Sequence, residues 1–102
     1  MRVALGVGYL RYLDGAFARR AQLGRGLATV PVSDASERRQ FAVAAFNAGE
    51  GRVARAQAQA AAHGGDPTRF ADVKRYLPAI TQAYVPRVVA YAADEAGAAR
   101  AG

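Results

Sequence analysis

The sequence predicts an all-α domain of about five helices. Apolar residues recur at helical spacing in several segments, Gly, Pro and Asp punctuate the chain between them, and no run alternates apolar and polar residues as a strand would. Ala is by far the commonest of the 102 residues, which suits close-packed helices. The length predicts a single domain over residues 1–102, with the weakly amphipathic stretch 92–102 expected to fray.

Val3, Val7, Leu10, Leu13 and Phe17 form one stripe, with Tyr9 and Tyr12 close to it. The spacing predicts a first helix from about Val3 to Leu23, ended by Gly24-Arg25-Gly26. Residues 27–32 read as a loop set partly by Pro31. Asp34-Ala-Ser-Glu37 has the form of a capping box, opening a second helix that runs to about Ala48. Phe41, Ala44, Ala45 and Ala48 give that helix a small-residue stripe, and the Gly49-Glu50-Gly51 break ends it. A third helix, Gly51 to Ala62, is almost wholly Ala, Arg and Gln: high in helix propensity, with a thin buried face. Asp66-Pro67 reads as an N-cap and first helical residue for a short helix ending at Leu77. Pro78 starts the last helix, and Pro86 either kinks it or lies in its first turns.

Composition excludes several functions. The absence of Cys removes disulfide scaffolds, thiolate zinc sites and cysteine nucleophiles. A single His, His63, argues against a His-rich metal site and a Ser-His-Asp triad, and no cofactor is expected. No apolar stretch reaches the roughly 20 residues of a membrane span. Tyr9, Arg11, Tyr12 and Asp14 interrupt the apolar start, so residues 1–14 read as helix and not as an export signal. A net charge of +6 favours anionic partners: nucleic acid, acidic lipid or a cell-wall polymer. The arginines are dispersed, which argues against nucleic acid and for an ordinary solvated surface.

Glycosidic chemistry needs carboxyl groups. Asp34, Glu37 and Asp66 read as caps, Asp14 and Asp72 lie on helix faces beside arginines, and Asp94 and Glu95 lie in the tail. Only Glu50 occupies an unusual place, between glycines at a helix start. A general acid needs an apolar pocket that favours its protonated form, whereas a helix N-terminus favours the charged one. Glu50 is therefore a weak catalytic candidate. His63 reads as an exposed helix C-terminal residue, and Tyr76 and Tyr84 as core aromatics with surface hydroxyls.

Phe41-Ala-Val-Ala-Ala-Phe46-Asn47-Ala-Gly49-Glu-Gly-Arg-Val53 resembles the AxAAYNxGxGxV motif of lytic transglycosylases with the lysozyme-like fold, close to the soluble and membrane-bound D-type families. Leu77-Pro-Ala-Ile-Thr81-Gln-Ala-Tyr84-Val-Pro-Arg-Val88 resembles the family's LPxETxxYVPxV element, and Gly6-Val-Gly-Tyr9-Leu-Arg-Tyr-Leu13 with Phe17 its GxxYLxxLxxxF helix. Three elements in the family's order cover most of the chain.

The resemblance implies cleavage of the N-acetylmuramic acid–N-acetylglucosamine bond of peptidoglycan, with a 1,6-anhydro product. In the family one Glu, in a Glu-Ser pair followed by a GxxGLMQ stretch, acts first as acid and then as base. The sequence has no Glu before Glu37, no Glu-Ser pair and no GLMQ. The resemblance thus implies a domain missing its catalytic-Glu lobe, with the Glu supplied by a partner or an upstream segment. Phe46 stands where the family has a Tyr whose hydroxyl contacts the acid, and Ile80 where it has Glu. Carried over by position, Phe46, Asn47, Gly49, Thr81 and Tyr84 would line the glycan groove.

The absent lobe would cover Val43, Phe46 and the first helix's stripe, so the chain is expected to bind another protein, or itself, over that surface. If exported, or carried by a phage or secretion assembly, it would act in the periplasm or cell wall. A non-catalytic peptidoglycan-binding or assembly module is the alternative, and a basic helical nucleic-acid binder a more distant one.

Overall fold

The computed structural model describes the backbone of residues 2–101 and the side chains of residues 8–91. It is mostly helical: α1 (Arg2–Ala18), α2 (Ala35–Ala48), α3 (Glu50–Ala62), α4 (Phe70–Val73) and α5 (Ala79–Ala101), with a 3-10 turn over Lys74–Tyr76. The expected fraying of 92–102, and the places of Val3 and Val7 in the first stripe, lie outside the residues whose side chains are described. No helix among the described residues is long and apolar enough to cross a membrane.

The absence of strands is corrected. A small antiparallel hairpin pairs β1 (Gln22–Gly24) with β2 (Leu27–Ala28), turning at Arg25-Gly26 with Gly26 at φ +69°. The first helix accordingly stops at Ala18 and not at Leu23. Thr29, fully buried, explains the stop. Its single hydroxyl proton is shared between the Ala16 and Arg19 carbonyls, and its oxygen accepts from the Ala21 amide, each at 2.8–2.9 Å. The backbone leaving the helix is thereby satisfied by a side chain, and the chain turns back as a hairpin.

The capping box is half formed. Asp34 Oδ1 accepts from the Glu37 amide at 2.9 Å, but Glu37 does not reach back: its Oε1 accepts from the Phe70 amide at 2.7 Å and so caps α4. Asp66-Pro67 does not start a helix either. Asp66 Oδ1 accepts from the Thr68 amide and hydroxyl, a local turn, and Arg69 is the N-cap of α4. Those two Thr68 bonds hold the Asp66 carboxyl below its ordinary range.

The core forms where α1, α3, α4 and α5 close on α2. Leu13, Ala16 and Phe17 of α1 meet Phe41, Ala42, Ala44 and Ala45 of α2, with Val53, Ala56 and Ala60 of α3, Phe70, Val73 and Val85 completing it. Phe41 is central: its ring lies 5.9 Å from that of Phe17, stacked, and 5.3 Å from that of Phe70, edge-on. The alanines of α2 let three helices approach it closely. The thin face of α3 carries one buried polar residue, Gln57. It donates to the Val30 and Pro67 carbonyls and accepts from the Val30 amide, at 3.0–3.1 Å. Val43 is buried, 4% exposed, and so offers little surface of its own to the external partner expected for it. Pro86 falls in the second turn of α5.

Candidate functional site

The candidate residues gather around the corner between α2 and α3. Gly49 is at once the C-cap of α2 and the N-cap of α3, at φ 95°, ψ 143°. That conformation is essentially confined to glycine. Its amide donates to Ala45 O at 2.7 Å, and its carbonyl accepts from the Val53 amide at 3.3 Å. One residue therefore closes one helix and opens the next, with Phe46 and Asn47 on one arm and Glu50 on the other.

Asn47 and Thr81 are brought together. The buried Thr81 hydroxyl donates to Asn47 Oδ1 at 2.8 Å, which ties the end of α2 to the first turn of α5. The two most distinctive sequence elements thus meet at this bond. Asn47 is exposed, and its side-chain carbonyl oxygen accepts from Thr81. Tyr84, three residues beyond Thr81 on α5, is half-buried against the core, in keeping with its reading as a core aromatic.

Phe46 is 39% exposed, and its ring lies 5.7 Å from that of Tyr9 on α1. Tyr9 stacks in turn on Tyr12, with ring centroids 6.0 Å apart and planes within 8°. These two tyrosines do not belong to the buried stripe beside which the sequence reading put them; they are 42% and 53% exposed. Both point to Glu50. Tyr9 Oη donates to Oε1 at 3.2 Å and Tyr12 Oη to Oε2 at 3.1 Å, so one carboxylate is held by two phenols. Burial, followed by the Glu50 charge, pushes the Tyr9 phenol above its ordinary range; for Tyr12 the hydrogen bond to Glu50 is the first cause.

Tyr12 and Glu50 also border an open depression of about 720 Å³, enclosed by the hairpin turn at Arg25-Gly26 and by Gly51 and Arg55 of α3. Sequence reasoning treated Glu50 as isolated and missed this cluster. The i, i+3 spacing of Tyr9 and Tyr12, at the edge of the stripe that Leu13 and Phe17 belong to, was the available signal. His63 lies where expected, at the exposed C-cap of α3, with its ring stacked 5.6 Å from that of Tyr76.

Chemically, the surface combines an aromatic ledge, a carboxylate that accepts from two phenols, and an exposed Asn whose amide nitrogen has no partner among the described residues. Such a set suits binding of a polyhydroxylated ligand by stacking and hydrogen bonds. Both described partners of Glu50 are phenol hydroxyls that donate to its carboxylate oxygens.

Comparison with known proteins gives one partial match. Sixty-three residues, 62% of the chain, are 38% identical to part of the membrane-bound lytic murein transglycosylase F of Thiobacillus denitrificans. The matched region is 13% of that protein, so the chain corresponds to a small part of its relative. No family model matches the chain, and no solved structure does.

Proposed function

We propose that the chain forms the glycan-binding part of a lytic-transglycosylase-like domain of the lysozyme-like class, acting on peptidoglycan. Its groove would be lined by Phe46, Asn47, Gly49, Thr81 and Tyr84. The observation that carries this reading is the local identity with a lytic murein transglycosylase over 62% of the chain. The Thr81–Asn47 hydrogen bond supports it, because it joins the two motif-bearing segments into one face.

The reaction class asks for a proton on the glycosidic oxygen as the bond breaks. The muramic acid 6-hydroxyl then loses a proton as it closes on the anomeric carbon. In this proposal Asn47 donates to the glycan through its amide, the Tyr9–Phe46 ledge stacks against a sugar face, and the proton donor comes from a partner or an upstream segment. Glu50 holds Tyr9 and Tyr12 in place. A second reading, a binding or assembly module without catalysis, is favoured by Phe46, which lacks the hydroxyl that would meet an acid.

Incubation of the purified chain with sacculi tests the proposal. Co-sedimentation without release of anhydromuropeptides is the expected outcome, with binding weakened by Asn47→Ala. Failure to co-sediment overturns the glycan reading. Release of anhydromuropeptides, abolished by Glu50→Gln, overturns the assignment of the proton donor to another segment.

A further inference from the structure

A second concave surface lies away from the Glu50 corner. Its floor is Ala42 and Val43 of α2, and its walls are Leu10 of α1 and Val88 and Val89 of α5, around a volume of about 430 Å³. Both walls run antiparallel to the floor. Tyr9 meets Phe46 and Asp14 meets Arg38, so α1 descends as α2 ascends. Thr81 meets Asn47 while Val88 and Val89 share the groove with Arg39 and Ala35, so α5 does the same. Three helices aligned in this way leave a slot parallel to their axes, the shape of helix-in-groove recognition.

The rim is basic. Among the described residues, Arg11, Arg38 and Arg39 line this rim with a single acid, Asp14, which Arg38 engages at 3.1 Å. Arg38 also donates to the Val32 carbonyl at 3.0 Å, so it is held in place, whereas Arg11 and Arg39 are exposed. A second copy of the chain carries the same rim and a net charge of +6. Symmetric pairing across this groove would set like charges against each other. The charge pattern therefore selects an occupant of opposite sign.

We propose that this groove receives an amphipathic helix of an acidic partner protein. The helix's apolar ridge sits between Leu10 and Val89, and its flanking Asp or Glu residues face Arg11 and Arg39. The inference stands independently of the glycan reading, since none of these residues belongs to the Glu50 corner.

The test uses the full chain and two fluorescein-labelled peptides of about 18 residues, some five helical turns. Both carry Leu at i, i+3, i+4 and i+7 positions; one has Glu on the flanks, the other Lys. Fluorescence anisotropy should show the Glu peptide binding at least about tenfold more tightly at low salt, with the preference shrinking as salt is added. Arg11→Glu with Arg39→Glu should reverse the preference. Val89→Asp, at a half-buried position on the margin of the core, should weaken binding about tenfold with the circular dichroism spectrum unchanged. Equal affinity for both peptides, no binding of either, or a preference indifferent to the arginine changes would overturn the proposal. So would sedimentation velocity showing a dimer that Val89→Asp dissolves.

Discussion

Thr81 and Asn47, thirty-four residues apart, meet through a 2.8 Å hydrogen bond in which the buried hydroxyl donates to the exposed amide's oxygen. This bond fixes which half of the Asn47 side chain faces outward. Thr81→Val keeps the shape and removes the donor. It is expected to cost about 1 kcal/mol, seen as a melting temperature lower by about 4–8 °C in circular dichroism. Sacculus binding should fall further than this small loss of stability explains, because Asn47 is freed to rotate.

The Glu50 corner predicts an alkaline titration. Both phenols are raised, so the folded protein keeps Tyr9 and Tyr12 neutral where the unfolded chain would ionise them. Their contribution to stability is complete below the ordinary phenol range, near about pH 10, and is lost as pH rises through the raised values. Glu50→Gln should lower both midpoints in a phenolate absorbance titration. For Tyr12 the Glu50 bond is the first cause of the shift and for Tyr9 burial is, so Tyr9 should keep a raised midpoint in the variant. Tyr9→Phe and Tyr12→Phe assign the two steps. Midpoints that do not move in Glu50→Gln would contradict the pairing.

Gly49→Ala places a side chain at φ 95°, ψ 143°. Space is not the obstacle, since nothing lies within 4 Å of the added carbon. The cost is conformational, about 1–3 kcal/mol in urea unfolding, and it should be matched by other L-residues whatever their size.

Gln57→Leu removes three hydrogen bonds that join α3 to the Val30 and Pro67 backbone. Leucine fills the volume but leaves an amide and two carbonyls without partners. A loss of about 2–4 kcal/mol is expected, measured by chemical denaturation.

The helices were legible because their signals are local. Asp34 caps α2, Gly49 and Gly64 interrupt at positive φ, and Pro78 precedes α5, each within a few residues of what it controls. The hairpin was not. Its strands hold three and two residues, without β-branched alternation, and they exist because the Thr29 hydroxyl takes over the end of α1. Glu37 shows the same limit. Its spacing from Asp34 fits a capping box, yet the Phe70 amide, 33 residues away, competes successfully for its carboxylate. In the candidate site, Phe46, Asn47 and Gly49 announced themselves by their run. The embrace of Glu50 by Tyr9 and Tyr12 spans 41 and 38 residues and depends on how α1 lies across the corner, which no local pattern encodes.

The single-residue joint at Gly49 restricts how this surface can diversify. Each residue added within either helical arm next to it would rotate Asn47 and Glu50 by about 100° relative to each other and shift them by about 1.5 Å along an axis. Lengthening the chain there would scatter the groups gathered around the corner. Descendants of this sequence can therefore retune the surface by exchanging side chains at 46, 47 and 50, whereas an insertion in the hairpin turn lengthens a tip that lies outside both helices.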